Sequence, residues 1–302
     1  MAEYSIRHLT HYTYEKQVSH CLNLAHLCPD SNDRQICREL KISILPKPKL
    51  TEFRKDYFGN TVYSFAVETP HTVLSVTAEA KVTTFEPEKK SGDRSVTASQ
   101  ILEKLKSPTE KETLEALEFV GDSPFVGRSS VYRNFLIQYL PMDIPYEEAV
   151  LQYVRRFRED FKFKAGSTNI YTPLDEVLEK KEGVCQDFTH LSIAAFRSLG
   201  LPCRYVSGYI ETYPPPGKPK LRGSDATHAW ISVYAPGLGW LDFDPTNGKA
   251  ITEEYVNTSL GRDFSDVSPL KGILFGGGKH KLKVEVDVSQ MGDDPHAIAG
   301  HI

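Results

Sequence analysis

The 302 residues contain no run approaching the roughly 18 consecutive apolar side chains that a membrane-crossing helix needs. The opening stretch, Met1-Ala2-Glu3-Tyr4-Ser5-Ile6-Arg7-His8, also lacks the apolar centre of a secretory leader. A cytoplasmic location with no membrane partner is therefore expected. Neither sign of charge dominates: 36 Lys+Arg stand against 40 Asp+Glu, a net of −4, so no positive surplus is there to neutralise phosphates. Nucleic acid is not an expected partner. No glycine-rich loop joins a strand to a helix in the manner that cradles a nucleotide, and no cofactor is expected. Cysteine is sparse. Cys21, Cys28, Cys37, Cys185 and Cys203 are odd in number and show no C-x2-C spacing, which argues against a disulfide framework and against a structural zinc site. Despite the nearby His20 and His26, Cys21, Cys28 and Cys37 read as packing or surface thiols, and no metal is expected.

What the chain does have is 40% apolar residues and enough length for about two domains. In the first 85 or so residues, Tyr4, Ile6, His8, Thr10, Tyr12 and Tyr14 alternate with a second face. Leu40, Ile42 and Ile44 do the same, as do Leu74, Val76, Ala78, Ala80 and Val82, with a turn at Phe58-Gly59-Asn60. This predicts a β-rich N-terminal domain over 1–90 without catalytic content. The polar stretch Glu86-Pro87-Glu88-Lys89-Lys90-Ser91-Gly92-Asp93 marks the boundary, and 91–302 reads as a second domain with its core at about 145–250. Helical spacing returns at Ile101–Leu105 and at Tyr146–Phe161.

From Leu174 onward the pattern is sharper. Val184, Phe188, Leu191, Ala195 and Leu199 form one stripe, closed by Gly200 and then Pro202, so a helix begins near Gly183-Val184-Cys185. Strands are expected at Cys203–Ile210, Thr227–Tyr234 and Gly239–Asp244, and a later one through Leu282, Val284, Val286 and Val288. The proline-rich run Tyr213–Asp225 is a loop that should emerge at the edge of whatever site the strands build.

Cys185 falls in the first turn of its helix, where the helix dipole and unpaired N–H groups favour a thiolate. A nucleophilic Cys needs a base within reach and a group to orient that base. His190 lies about 140° around the helix from Cys185 and does not meet it; Asp187 and His190 are spaced to pair with each other. His228 shares a strand face with Trp230, Ser232 and Tyr234, and the next strand shows Trp240, Asp242 and Asp244. A hairpin centred on Pro236 would set His228 directly opposite Asp244, with Cβ atoms about 5 Å apart. A loop of two or four residues would send the pair to opposite faces unless a bulge intervened.

The segments Gly183-Val184-Cys185-Gln186-Asp187-Phe188, Thr227-His228-Ala229-Trp230 and Gly239-Trp240-Leu241-Asp242-Phe243-Asp244-Pro245-Thr246-Asn247 resemble the transglutaminase-like superfamily of cysteine enzymes. The order Cys, His, Asp agrees, and Gly261-Arg262-Asp263-Phe264-Ser265-Asp266-Val267-Ser268-Pro269 resembles a further segment of its bacterial members. The resemblance implies an α+β chain, a β-rich N-terminal domain followed by a papain-like core in which a helix packs on an antiparallel sheet. It implies that Cys185 forms a thioester with a carboxamide, that His228 moves protons and that Asp244 orients it. Gln186 and Trp230 would then flank these three. The backbone N–H of Cys185 is the natural first oxyanion donor. Tyr171 falls where animal members carry a tryptophan donor, so its phenol is the candidate for the second.

The expected chemistry is acyl transfer from a peptide or protein amide, with hydrolysis by a peptidase or amidase preferred over cross-linking to an amine. Two other readings remain at this point. One is a non-catalytic protein-binding module of the same fold; the other is a metalloprotein using Cys185, His228 and Asp244 as ligands.

Overall fold

The computed structural model describes residues 1–87, 92–212 and 225–291. It is organised around two antiparallel sheets with helices packed on the second. The first sheet holds β1 (Ala2–Ala25), β2 (Gln35–Leu45), β3 (Leu50–Lys55), β4 (Thr61–Val67) and β5 (His71–Thr84), in the order β2-β5-β1-β4-β3. β1 is its spine. Along Ala2, Tyr4, Ile6, His8 and Thr10 alternate residues are buried, and after a break in register between Val18 and His20 the inward set changes phase to Cys21, Asn23 and Ala25.

Next come α1 (Ala98–Lys104), α2 (Lys111–Ala116), α3 (Ser130–Tyr139), α4 (Tyr146–Asp160), β6 (Lys162–Phe163), α5 (Leu174–Lys180), β7 (Glu182–Gly183) and α6 (Cys185–Leu199). α6 is the central helix of the C-terminal core. It stops where the stripe predicts, at Gly200 with φ 95°, a conformation that glycine adopts without the Cβ penalty. Its buried Arg197 is satisfied by the carbonyls of Cys203, Gly121 and Arg262 and by the Ser123 hydroxyl. The second sheet is built from β8 (Cys203–Ile210), β9 (Thr227–Ala235), β10 (Gly239–Asp244), β11 (Lys249–Ala250) and β12 (Tyr255–Gly261), ordered β11-β10-β9-β8-β12. Its two edges are joined by 251–254 alone. Five flat strands would put those edges about 19 Å apart, whereas the five steps from Ala250 to Tyr255 reach about 18 Å at full extension. The sheet therefore curls, which brings β12 back toward β9 and β10.

After α7 (Phe264–Val267), the last strands, β13 (Leu270–Gly276) and β14 (His280–Gln290), leave this core and pair with β1. This corrects the division at residue 90: 270–290 belongs to the first sheet, so the N-terminal unit is closed by the end of the described chain. The strand predicted through Leu282 and Val288 exists, but its partner is Tyr4–Tyr14. Ala2, Tyr4, Ile6, Val286 and Val288 then pack on Tyr209 and Val256 of the second sheet. The exposed edge of β12 is covered by side-chain amides. Gln35 bonds both backbone groups of Asn257, and Asn60 bonds both of Leu260. The segment 261–269 supports the far side of α6. Asp263 caps α7 and accepts from the Phe125 N–H, while the Phe264 N–H donates to His190.

Candidate active site

Cys185 is the first residue of α6 and half-buried. The strand before it is fixed by parallel pairing of β7 with β6, and the helix start is tied down by Asp187, whose carboxylate accepts from the Val184 N–H at 2.8 Å and from the Thr168 hydroxyl at 2.6 Å. Burial pushes the Asp187 carboxyl above its ordinary value, against these two donors.

His228 lies in β9 opposite Gly208 of β8. Its ring is buried against Trp230 and Tyr255, with centroids 6.2 and 6.1 Å away. Gly208 is required by close approach: a Cβ there would lie 2.0 Å from the Val256 carbonyl oxygen and 2.6 Å from the Trp230 indole. His228 Nε2 bonds Asp244 Oδ2 at 2.7 Å. Cys185 and His228 line one cleft, and Asn247 Nδ2 also approaches His228 Nε2, at 3.5 Å. Burial alone would depress the imidazole, but the charge and hydrogen bond of Asp244, and then Cys185, outweigh it and raise the pKa to about 10. The Asp244 partnership thus favours the protonated ring.

Asp244 is fully buried at the end of β10, and both its oxygens are engaged. Oδ1 accepts from the backbone N–H groups of Thr246 and Asn247; Oδ2 accepts from His228, from Asn247 Nδ2 at 2.6 Å and from the Tyr255 hydroxyl at 2.8 Å. Burial raises its pKa, but the His228 charge and these donors prevail, and the carboxyl sits below its ordinary value. Because His228 Nε2 and Asp244 Oδ2 bond each other, neither is free to share a metal, and among the described residues no group of three or more His, Cys, Asp or Glu could hold one.

The hairpin differs from its expected register. Gly239 pairs with Ala235 and Phe243 with Ile231, so the turn is centred on Gly237 rather than Pro236. The shift is two residues along β10, parity is kept, and Asp244 meets His228 from the diagonal position on the same face. Trp230 is where the sequence puts it, against His228. Gln186 is half-buried and makes no side-chain hydrogen bond among the described residues. Tyr171 is not brought to Cys185: its side chain is 82% exposed, because the turn in which Asn169 accepts from the Tyr171 N–H aims the ring at solvent. Asp187 and His190 do not pair either. Asp187 turns to the helix start, and His190 is buried between Phe125 and Tyr205, accepting from Phe264. Sequence reasoning missed two residues: Asn247, which it read only as part of a turn, and Tyr255, for which no local signal exists.

The cleft over Cys185 and His228 measures about 520 Å³ and is walled by Phe161, Phe163, Ile210 and Arg158. A larger cavity of about 970 Å³, between Tyr57, Glu118, Phe119 and Trp240, contains none of these groups. Of the run Tyr213–Asp225 expected at the site's edge, residues 213–224 lie outside the described residues.

Residues 4–83 match the bacterial transglutaminase-like N-terminal region, and residues 138–245, which include Cys185, His228 and Asp244, match the transglutaminase-like superfamily. The chain is 36% identical over 303 residues to uncharacterized protein Rv2569c of Mycobacterium tuberculosis, covering 97% of this chain and 95% of that one. The chain belongs to the transglutaminase-like superfamily. A shorter stretch of 73 residues, 24% of this chain and 11% of the other, is 32% identical to a protein-glutamine gamma-glutamyltransferase of Pseudomonas aeruginosa. A likeness in fold extends over both units. A crystal structure of a proposed cysteine protease from Cytophaga hutchinsonii superposes with a TM-score of 0.73 at 19% identity, covering 97% of this chain and 92% of that one. Among the described residues no helix is long and apolar enough to cross a membrane.

Proposed function

We propose that this chain is a cysteine-dependent amide hydrolase whose nucleophile is Cys185, whose acid and base is His228 and whose orienting carboxylate is Asp244. The observation that supports the reading is that Cys185, at the α6 N-terminus, lines one cleft with His228, whose Nε2 bonds a buried and fully hydrogen-bonded Asp244. The Cys185 thiolate adds to the amide carbonyl, and the oxyanion so formed is opposed by the helix N-terminus and the Cys185 N–H. His228 gives its proton to the leaving nitrogen as the C–N bond breaks, leaving a thioester. Water then loses a proton to His228 and adds to the thioester; the C–S bond breaks, releasing the acid and the Cys185 sulfur, which regenerates the site.

Peptide or side-chain amides of proteins fit a cleft of about 520 Å³. The likeness to the Pseudomonas transferase supports a second reading in which a primary amine replaces water. The first sheet, folded against the core without contributing to the cleft's described walls, is the scaffold in either case. We place the enzyme in the cytosol, where its free cysteines stay reduced. Glutamine and peptide-amide donors, with and without a primary amine, test the reading through release of ammonia or a new amine against amine incorporation. Turnover surviving in Cys185→Ser would overturn it; incorporation dominating over hydrolysis would select the second reading.

A further inference from the structure

Resting on the catalytic reading above, we propose that Arg158 is a substrate-recognising residue, and that the amide this enzyme attacks carries a free carboxylate close to the reacting carbonyl. Arg158 stands in the last turn of α4 and lines the cleft that contains Cys185 and His228. Its neighbour on the helix, Arg156, is engaged, stacking over the Tyr139 ring and donating to the Gln138 carbonyl. Arg158 has neither a hydrogen bond nor an ion pair among the described residues.

Its stem has a packing partner, although the residue is exposed. The aliphatic stem lies across Gly248, where an added Cβ would come within 2.9 Å of Arg158 Cδ and 3.1 Å of its Cβ. Gly248 closes the turn that begins at Asp244, to whose carbonyl its N–H donates at 2.8 Å. The stem is thus packed on the loop that carries the orienting carboxylate, while Arg158 lines the cleft and its guanidinium has no hydrogen-bond partner among the described residues.

The rest of the wall decides what those donors meet. None of the described lining residues is acidic, and Asp244 beneath them has no exposure. Phe163, 59% exposed, stands beside buried Phe161, with Ile210 also in the wall. A cleft with an apolar wall of Phe161, Phe163 and Ile210, uncharged threonines, and Arg158 and His228 as its basic residues fits a ligand with an apolar body and one anionic group, and a planar carboxylate matches the guanidinium fork. A peptide ending next to the reacting amide, or a glutamine with a free α-carboxylate, has that form.

The test uses two alkylating reagents of nearly equal size, neutral iodoacetamide and anionic iodoacetate. Each forms an Sγ–CH2 bond with the Cys185 thiolate and releases iodide. The ratio of their rates at Cys185, read by peptide mapping, cancels any change in thiolate content and isolates the field at the cleft wall. In the unaltered enzyme iodoacetate should be favoured. Arg158→Gln should lower the iodoacetate-to-iodoacetamide ratio about fivefold, and Arg158→Lys, which keeps the charge without the fork, should retain part of it. The same variants should reduce kcat/KM for a donor with a free carboxylate while sparing its carboxamide counterpart. A ratio unmoved by Arg158→Gln, with Cys185 still reacting briskly with iodoacetamide, overturns this inference alone. A Cys185 inert to both reagents overturns the catalytic reading and this inference with it.

Discussion

Tyr255→Phe removes one oxygen from the site and leaves the ring, and its consequences follow from the geometry of Asp244. The Tyr255 phenol is kept protonated by burial and by the Asp244 charge, so at any working pH it is a donor. Its hydrogen bond to Asp244 Oδ2 is 2.8 Å long in a fully buried setting. A hydrogen bond to a charged group contributes about 1.5–3 kcal/mol net, and the contacts of the ring with His228 and Trp230 survive the change. The expected loss of stability at pH 7 is therefore about 2 kcal/mol.

The dependence on pH gives the test its specificity. Asp244 has a folded pKa below its ordinary 3.8, so it contributes stability that is fully present above that value and is lost as pH falls through the folded pKa. Removing a donor raises the folded pKa, so the variant loses this contribution at a higher pH than the parent. Once the carboxyl is protonated in both, the charge-assisted part of the difference is gone. Urea unfolding followed by circular dichroism across the acid range should show the Tyr255→Phe penalty largest at neutral pH and smaller in acid. In an Asp244→Asn background the penalty should shrink to about 1 kcal/mol, the worth of a neutral hydrogen bond. A penalty below about 0.5 kcal/mol at pH 7, or one equal at every pH and in both backgrounds, would refute the reasoning.

Other perturbations report on neighbouring parts of the site. Asp244→Asn removes the charge that outweighs burial at His228, so its pKa should fall from about 10 toward or below 6.5, and the alkaline limb of the turnover–pH profile should move down with it. Iodoacetamide at pH 6 should modify Cys185 ahead of the other four thiols; burial pushes Cys28 and Cys203 up to about 12 and also raises Cys21 and Cys37, and equal labelling would contradict the assignment. Gly208→Ala sets a methyl against the Val256 carbonyl and the Trp230 indole and should cost about 1–3 kcal/mol in thermal unfolding; an unchanged melting temperature would show that the strands yield freely there.

The parts of the fold legible in the sequence are those that local periodicity controls. α6 begins and ends where the stripe Val184–Leu199 and Gly200 require, and β8 and β10 take the expected bounds. The pairing of distant strands has no such local signature. β13 and β14 alternate as strands must, but nothing in 270–290 encodes that β1, 245 or more residues earlier at every pair, is their partner; that follows from burying Val286 and Val288 with Tyr4 and Ile6. Tyr171 and the Asp187–His190 pair went wrong for a related reason. Spacing shows which side chains are able to meet, whereas the competing partners, Thr168 and the Val184 N–H for Asp187, and Phe125, Tyr205 and Phe264 for His190, come from elsewhere in the chain.

The His228–Asp244 contact shows how a site can be legible when its exact register is not. Sliding β10 by two residues against β9 changes which residues face each other directly but leaves every side chain on its original face, because the strand repeat is two. Asp244 thus remained available to His228, and the remaining displacement along the strand is spanned by the carboxylate itself and held by Asn247 from the turn and Tyr255 from β12. Tyr255 reaches this point because the short 251–254 link forces the sheet to curl, and the curl was not visible until the strand order was known. The sequence left the parity of that turn open, and the observed pairing of Gly239 with Ala235 is what brings His228 and Asp244 to one face. Which residues hold them there depended on the closure of the whole sheet.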